Sequence, residues 1–173
     1  VFLDEKYTEV VKFIDDFDFK RIVYLGSNTN KGVAQESSLK LCELTKGIID
    51  TNFDTPMGFR HGPKSVINPE TEYTRQYEYD IIKEMSTQRN GNKIVAVGSY
   101  ADEKISELVD LFISFDNDVR LNNIYLGLEY ITVAQTLALF KSIKMGITPD
   151  NPCPSGEVNR VVQGVIIYQY KKR

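Results

Sequence analysis

Apolar residues recur at steps of three to four through Tyr7, Val10, Val11, Phe13, Ile14 and Phe17, which predicts an amphipathic helix over about residues 4–17. The compact run Ile22-Val23-Tyr24-Leu25 then predicts a first strand over about 21–25. A polar turn, Ser27-Asn28-Thr29, leads into helical spacing over about 32–46, closed by Gly47 as a left-handed C′ residue. A second short strand, about 48–53, ends at Asp54-Thr55-Pro56. Residues 57–67 follow no period, and Gly58 and Gly62-Pro63 bracket Arg60-His61. A helix over about 73–84 is expected to turn Tyr77, Ile81, Ile82 and Met85 inward. Residues 93–98 predict a buried strand, 103–108 a short helix and 111–115 a fourth strand. Asn122-Asn123 cap a long helix to about Met145, which Gly146 and Pro149 stop. Its apolar positions, Leu128 and Ile143 among them, run nearly all round, so it is expected to be buried in the domain or in an oligomer contact.

Strands alternating with helices, with Ser/Gly/Asn turns after the strands, predict an α/β fold: an open parallel sheet covered by helices on both faces. Ligands in such sheets sit at the carboxyl ends of the strands. Ser27, Asn28, Thr29 and Ser99 are expected there.

Composition narrows the partners. At 173 residues the chain fits one domain, and its 42% hydrophobic and 26% charged content is ordinary for a globular protein. A net charge of −3 gives no reason to expect nucleic acid or an anionic membrane. No apolar run reaches the ~18 residues of a membrane span, and no secretory core follows the first residues. Cys42 and Cys153 read as reduced thiols of a cytoplasmic protein. One histidine and no clustered cysteines predict no metal site, and neither GxGxxG nor GxxxxGK[ST] is present, which argues against a nucleotide. A start at Val1 rather than Met suggests a fragment, a processed chain or a trimmed one.

Candidate chemistry gathers on the first helix after a strand. Glu36, Lys40 and Glu43 stand at i, i+4 and i+7, on one face. They fit either a solvated ion-pair ladder or a site where carboxylates flank an ammonium. The turn before them could hold an anion on backbone N–H groups at the helix start. Asp15-Asp16-Phe17-Asp18 reads as a solvated helix end. His61, among cations and bounded by Gly and Pro, is either a surface turn residue or a poised acid–base group.

Three blocks carry a resemblance. GVAQESSLKLCELTKG, FRHGPKSVI and TPDNPCPSGEVNRVVQGVIIYQY together resemble the C-terminal sugar isomerase (SIS) domain of the tagatose-6-phosphate ketose/aldose isomerase group, also described as galactosamine-6-phosphate deaminase/isomerases. The resemblance implies an SIS-like, flavodoxin-like three-layer sandwich. It implies aldose–ketose isomerisation of a sugar phosphate, with loss of ammonia from a 2-amino sugar and no cofactor. Glu43 resembles the carboxylate that moves a proton between C1 and C2. Lys40 is similar to a residue contacting the open-chain sugar, and Glu36 to a carboxylate beside it. His61 resembles the ring-opening histidine, which in related enzymes reaches a neighbouring subunit's site, with Arg60 beside it on the substrate. Asn159 and Arg160 resemble a segment that closes over the substrate, and the tail over 147–173 is expected on the site or on a partner subunit. Ser27 and Asn28 would contact the sugar or complete a domain interface.

Family members carry two SIS domains, and the phosphate loop belongs chiefly to the first. The implied partners are therefore an N-terminal SIS domain and further copies in a homo-oligomer. The family's apolar strand after the His-Gly-Pro block has no evident counterpart near 68–73, which leads to the expectation that residues are missing there. A non-catalytic phosphosugar-binding module and the isomerase half of an amidotransferase are the competing readings. The DNPCPSG tail favours the deaminase/isomerase group over the latter.

Overall fold

Alternation along the strands sorts the core into two halves. Tyr24, Val95, Val97 and Ile113 point to one face of the sheet, and Val23, Leu25, Ile94 and Ala96 to the other. The computed structural model describes residues 2–61, 66–68, 72–89, 91–115, 123–156, 166, 168 and 169. The chain runs α1 (Phe2–Asp16), β1 (Arg21–Gly26), α2 (Asn30–Leu44), β2 (Asp50–Asp54), a 3-10 turn (Gly58–His61), β3 (Val66–Asn68), α3 (Glu72–Thr87), β4 (Val95–Gly98), α4 (Glu103–Ser106), β5 (Leu111–Ser114) and α5 (Asn123–Lys144). All paired strands are parallel, in the order β2-β1-β3-β4-β5. Helices α1, α2 and α5 bury their apolar stripes on one face, and α3 and α4 on the other. The expected three-layer, flavodoxin-like sandwich is what forms.

The gap expected in the sheet is not there. Val66, Ile67 and Asn68 pair with Tyr24, Leu25 and Gly26 on one side, and Ile67 pairs with Ala96 on the other. The strand is the end of the FRHGPKSVI block itself. Two apolar residues are too few for a period to register, so the expectation of missing residues had no pattern to correct it. A second difference concerns α3. Tyr77 is 50% exposed, and Glu78 takes the inward position beside Ile81 and Ile82 at 2%.

Helices α2 and α5 end in Schellman closures. At α5, Gly146 has φ +72°, its N–H bonds the Ile143 carbonyl, and Ile147 N–H reaches Ser142. At α2 the pattern is offset by one from the expectation. Lys46, at φ +56°, is the C′ residue donating to Glu43, and Gly47 is the next residue, donating to Cys42.

The acidic stretch after α1 is more than a solvated end. Lys141 of α5 is 1% exposed, and its Nζ lies 2.7 Å from Asp18 Oδ1 and 4.3 Å from the Phe19 ring centroid. Lys144 Nζ reaches the Ile14 and Asp15 carbonyls, which α1 leaves open at its C-terminus. The hydrogen bond and charge of Lys141 hold the Asp18 carboxyl below its ordinary value of 3.8.

Two outcomes follow from these contacts. Lys46→Gly relieves a left-handed β-carbon and should add about 0.5–1 kcal/mol, raising Tm by about 1–4 °C in calorimetry. Because the folded Asp18 pKa is depressed, its contribution is complete above about pH 4 and lost as pH falls through the lower folded value. Lys141→Met should flatten that part of the acid limb with little loss at pH 7, whereas Asp18→Asn, which leaves a buried ammonium without its counter-charge, should lower Tm at pH 7. Equal Tm losses at pH 7 for the two variants would contradict this account.

Candidate functional site

Helix α2 presents two unlike faces. Asn30, Ala34, Ser37, Ser38 and Leu41 are buried. The small side chains among them let the helix lie close to β1, β2 and α5. Gly26, at the end of β1, marks the tightest approach: a β-carbon there would sit 2.1 Å from the Asn30 carbonyl oxygen. The opposite face carries Glu36, Lys40 and Glu43. Lys40 Nζ is 2.8 Å from Glu43 Oε2 and 3.5 Å from Glu36 Oε1. The three side chains keep 34%, 40% and 46% of their surface for Lys40, Glu43 and Glu36. The hydrogen bond that Lys40 donates to Glu43, opposed by partial burial and aided by both carboxylate charges, raises the Lys40 pKa. The lysine is therefore firmly an ammonium at neutral pH.

This ridge is not where the turn residues are. Helix α2 runs from the carboxyl edge of the sheet back toward its amino edge. Thirteen residues separate Asn30 from Glu43, about 20 Å at 1.5 Å per residue. The structure thus brings Glu36, Lys40 and Glu43 together and leaves Ser27 and Asn28 at the far end. There, the N–H groups of Asn30, Lys31 and Gly32 donate to the carbonyls of Ser27, Asn28 and Thr29. Those N–H groups close the turn on itself instead of facing outward to an anion. Asn28 adopts φ +47°, a conformation asparagine tolerates.

Ser27 Oγ donates to Glu78 Oε1 at 2.7 Å, tying the β1–α2 turn to α3. Glu78 escaped the sequence reading, although a carboxylate three and four residues before Ile81 and Ile82 was the available signal. Nearby, burial pushes the Tyr130 phenol up to about 12, with the Ser99 hydroxyl working against it. Arg75, near the start of α3, pairs with Asp102 through Nε at 3.0 Å and Nη2 at 2.9 Å. Its guanidinium lies 4.0 Å from the Tyr100 ring centroid. Together with Tyr79 and Lys104 these side chains line an open groove of about 660 Å³ between α3 and α4.

Arg60 and His61 lie in the 3-10 turn that follows β2, at the carboxyl edge. Their side chains, like Asn159 and Arg160, fall outside the described residues. Among the described residues no group of three or more His, Cys, Asp or Glu could hold a metal ion, and no helix is long and apolar enough to cross a membrane.

Known proteins share both this sequence and this architecture. The chain is 40% identical over 162 residues to the D-galactosamine-6-phosphate deaminase AgaS of Shewanella sp. (strain ANA-3), covering 88% of this chain and 39% of that protein. A solved structure from Clostridium novyi NT, provisionally described as a tagatose-6-phosphate ketose/aldose isomerase, superposes with a TM-score of 0.89 at 42% identity, over 98% of this chain and 46% of that one. The tagatose-6-phosphate ketose/aldose isomerase of Escherichia coli superposes at 0.72 with 29% identity, over 97% and 46%. The chain thus spans less than half the length of the relatives it matches. No protein-family model matches it. In sequence and in fold the chain is thus similar, over nearly its whole length, to part of the SIS-domain, tagatose-6-phosphate ketose/aldose isomerase-like proteins.

Proposed function

We propose that this chain is the C-terminal SIS domain of a two-domain sugar-phosphate isomerase/deaminase, which converts galactosamine 6-phosphate to tagatose 6-phosphate and ammonia. The observation that carries the reading is the Glu36–Lys40–Glu43 ridge, with one ammonium held between two carboxylates on a helix that matches the family's block. Glu43 takes the proton from C2 of the open-chain amino sugar and returns it to C1. The C2 imine so formed adds water and releases ammonia. A carboxylate suits this transfer because one group can accept and give back the same proton. Charge that builds on the C1 oxygen is met by the Lys40 ammonium, whose raised pKa keeps it charged. Glu36 holds Lys40 from the other side.

His61 opens the sugar ring as acid and base, a role for which imidazole is the suited side chain, with Arg60 on the substrate. Ser27 and Asn28, some 20 Å along α2 from Glu43, are assigned to the domain interface and not to the reacting carbons. Asn159 and Arg160, with the tail over 147–173, close the site. An N-terminal SIS domain supplies the phosphate cradle, the assembly is a homo-oligomer, and the enzyme works in the cytoplasm. A phosphosugar-sensing module is the alternative, but a sensor has no use for a carboxylate poised against an ammonium.

In a chain carrying both domains, Glu43→Gln should cut kcat by about 100- to 10,000-fold with KM little changed. Release of ammonia from galactosamine 6-phosphate, followed by a coupled assay, measures it. Turnover near the wild-type rate would remove the role given to Glu43. Lys40→Met should lower kcat by about 100-fold or more in the same assay.

A further inference from the structure

Helix α5 lies between α2 and α1 and packs on both. Its inner side is the core stripe Leu126, Tyr130, Val133, Ala134, Leu137 and Ala138. Its outer side is uncharged and mostly apolar. Tyr125, Leu128, Leu139 and Ile143 are 60%, 67%, 39% and 51% exposed. Thr132 and Gln135 fill the middle of the same line, so the steps run three, four, three, four and four residues. That spacing keeps one side of a helix in register with a flat apolar partner for about 27 Å. No Asp, Glu, Lys or Arg stands on the line: Glu129 lies off it, Lys141 is buried on Asp18, and Lys144 closes α1. A helix face that only meets water is ordinarily charged, and an uncharged stripe with four exposed apolar side chains marks a contact.

We propose that this stripe is the seat of the other SIS domain of the same two-domain chain. The proposal rests on the two-domain reading above. The relatives have room for such a domain, since this chain accounts for 39% of one and 46% of another. The stripe also stands on the helix next to α2, whose Glu36–Lys40–Glu43 ridge faces away from this domain's core. A domain seated on α5 would lie over that ridge and withdraw it from water. An uncharged stripe suits a permanent intramolecular contact, whose core is depleted of charge.

Leu128→Cys in the two-domain chain tests this by thiol labelling with N-ethylmaleimide, read on the peptide that contains position 128. Labelling should be at least about tenfold slower than for the same variant of the 173-residue chain. The protection should persist on dilution to where sedimentation finds single chains. Equal rates in the two chains would overturn the proposal. So would protection that vanishes on dilution, which would make a second copy the occupant, or slow labelling of the shorter chain, which would make its own tail the cover. A reading frame without a second domain would overturn it as well. Ammonia release and its dependence on Glu43 are measured on the same preparation. Fast labelling with Glu43-dependent turnover sinks the docking alone, and slow labelling without turnover sinks the enzymatic reading alone.

Discussion

The contact that sets the rest of the site is backbone on backbone: the end of β1 against the first turn of α2. Gly26 leaves room for the Asn30 carbonyl where any β-carbon would collide with it at 2.1 Å. With the helix pressed so close, only small side chains fit beneath it, and Ala34, Ser37 and Ser38 supply them. Helical geometry then does the remainder. If those residues and Leu41 face inward, Glu36, Lys40 and Glu43 must face outward together. Neighbouring α5 meets α2 under a similar constraint, since a β-carbon on Gly127 would lie 3.2 Å from Val33.

Much of this was legible because it repeats. Among the described residues, four of the five strands and all five α-helices follow from apolar spacing, and the parallel, doubly covered sheet follows from their alternation. What failed to register was short or singular. Strand β3 offers only Val66 and Ile67 as apolar residues, and its place is set by partners on both sides. Lys141 and Glu78 are charged residues at inward positions. Patterning assigns such residues to the surface, and only tertiary structure supplies Asp18 and Ser27 as their partners. The offset at the end of α2 has the same origin: glycine was the natural choice for a left-handed residue, yet Lys46 occupies it.

The candidate site was legible in a different way. Spacing placed Glu36, Lys40 and Glu43 on one face, and they do meet. Spacing could not distinguish a ladder from a site, because both look alike on a helix. Nor could it show that Ser27 and Asn28 stand at the other end of α2, although the count of residues between them contains that distance. Adjacency on a linear motif had been read as adjacency in space. The sheet separates the two groups, giving the turn at the strand ends to α3 through Glu78 and the ridge to whatever covers α2.

Energetics indicate which reading of the ridge is sufficient. Half-exposed ion pairs are worth about 0–1 kcal/mol each, and α2 is already held by its buried face, so the fold has little need of them. In water the pairing also does little chemically, since high dielectric weakens both the attraction of Lys40 for Glu43 and the field either could exert on a substrate. Covering the ridge changes both terms at once. A lower dielectric strengthens both the attraction between Lys40 and Glu43 and the hold of the ammonium on a developing negative charge. A carboxylate that must accept and return a proton is more useful in that setting than in open water. On the docking proposed above, the apolar stripe of α5 and the charged ridge of α2 would be two parts of one surface, the first giving a second domain a reason to bind and the second acquiring its chemistry once it has bound.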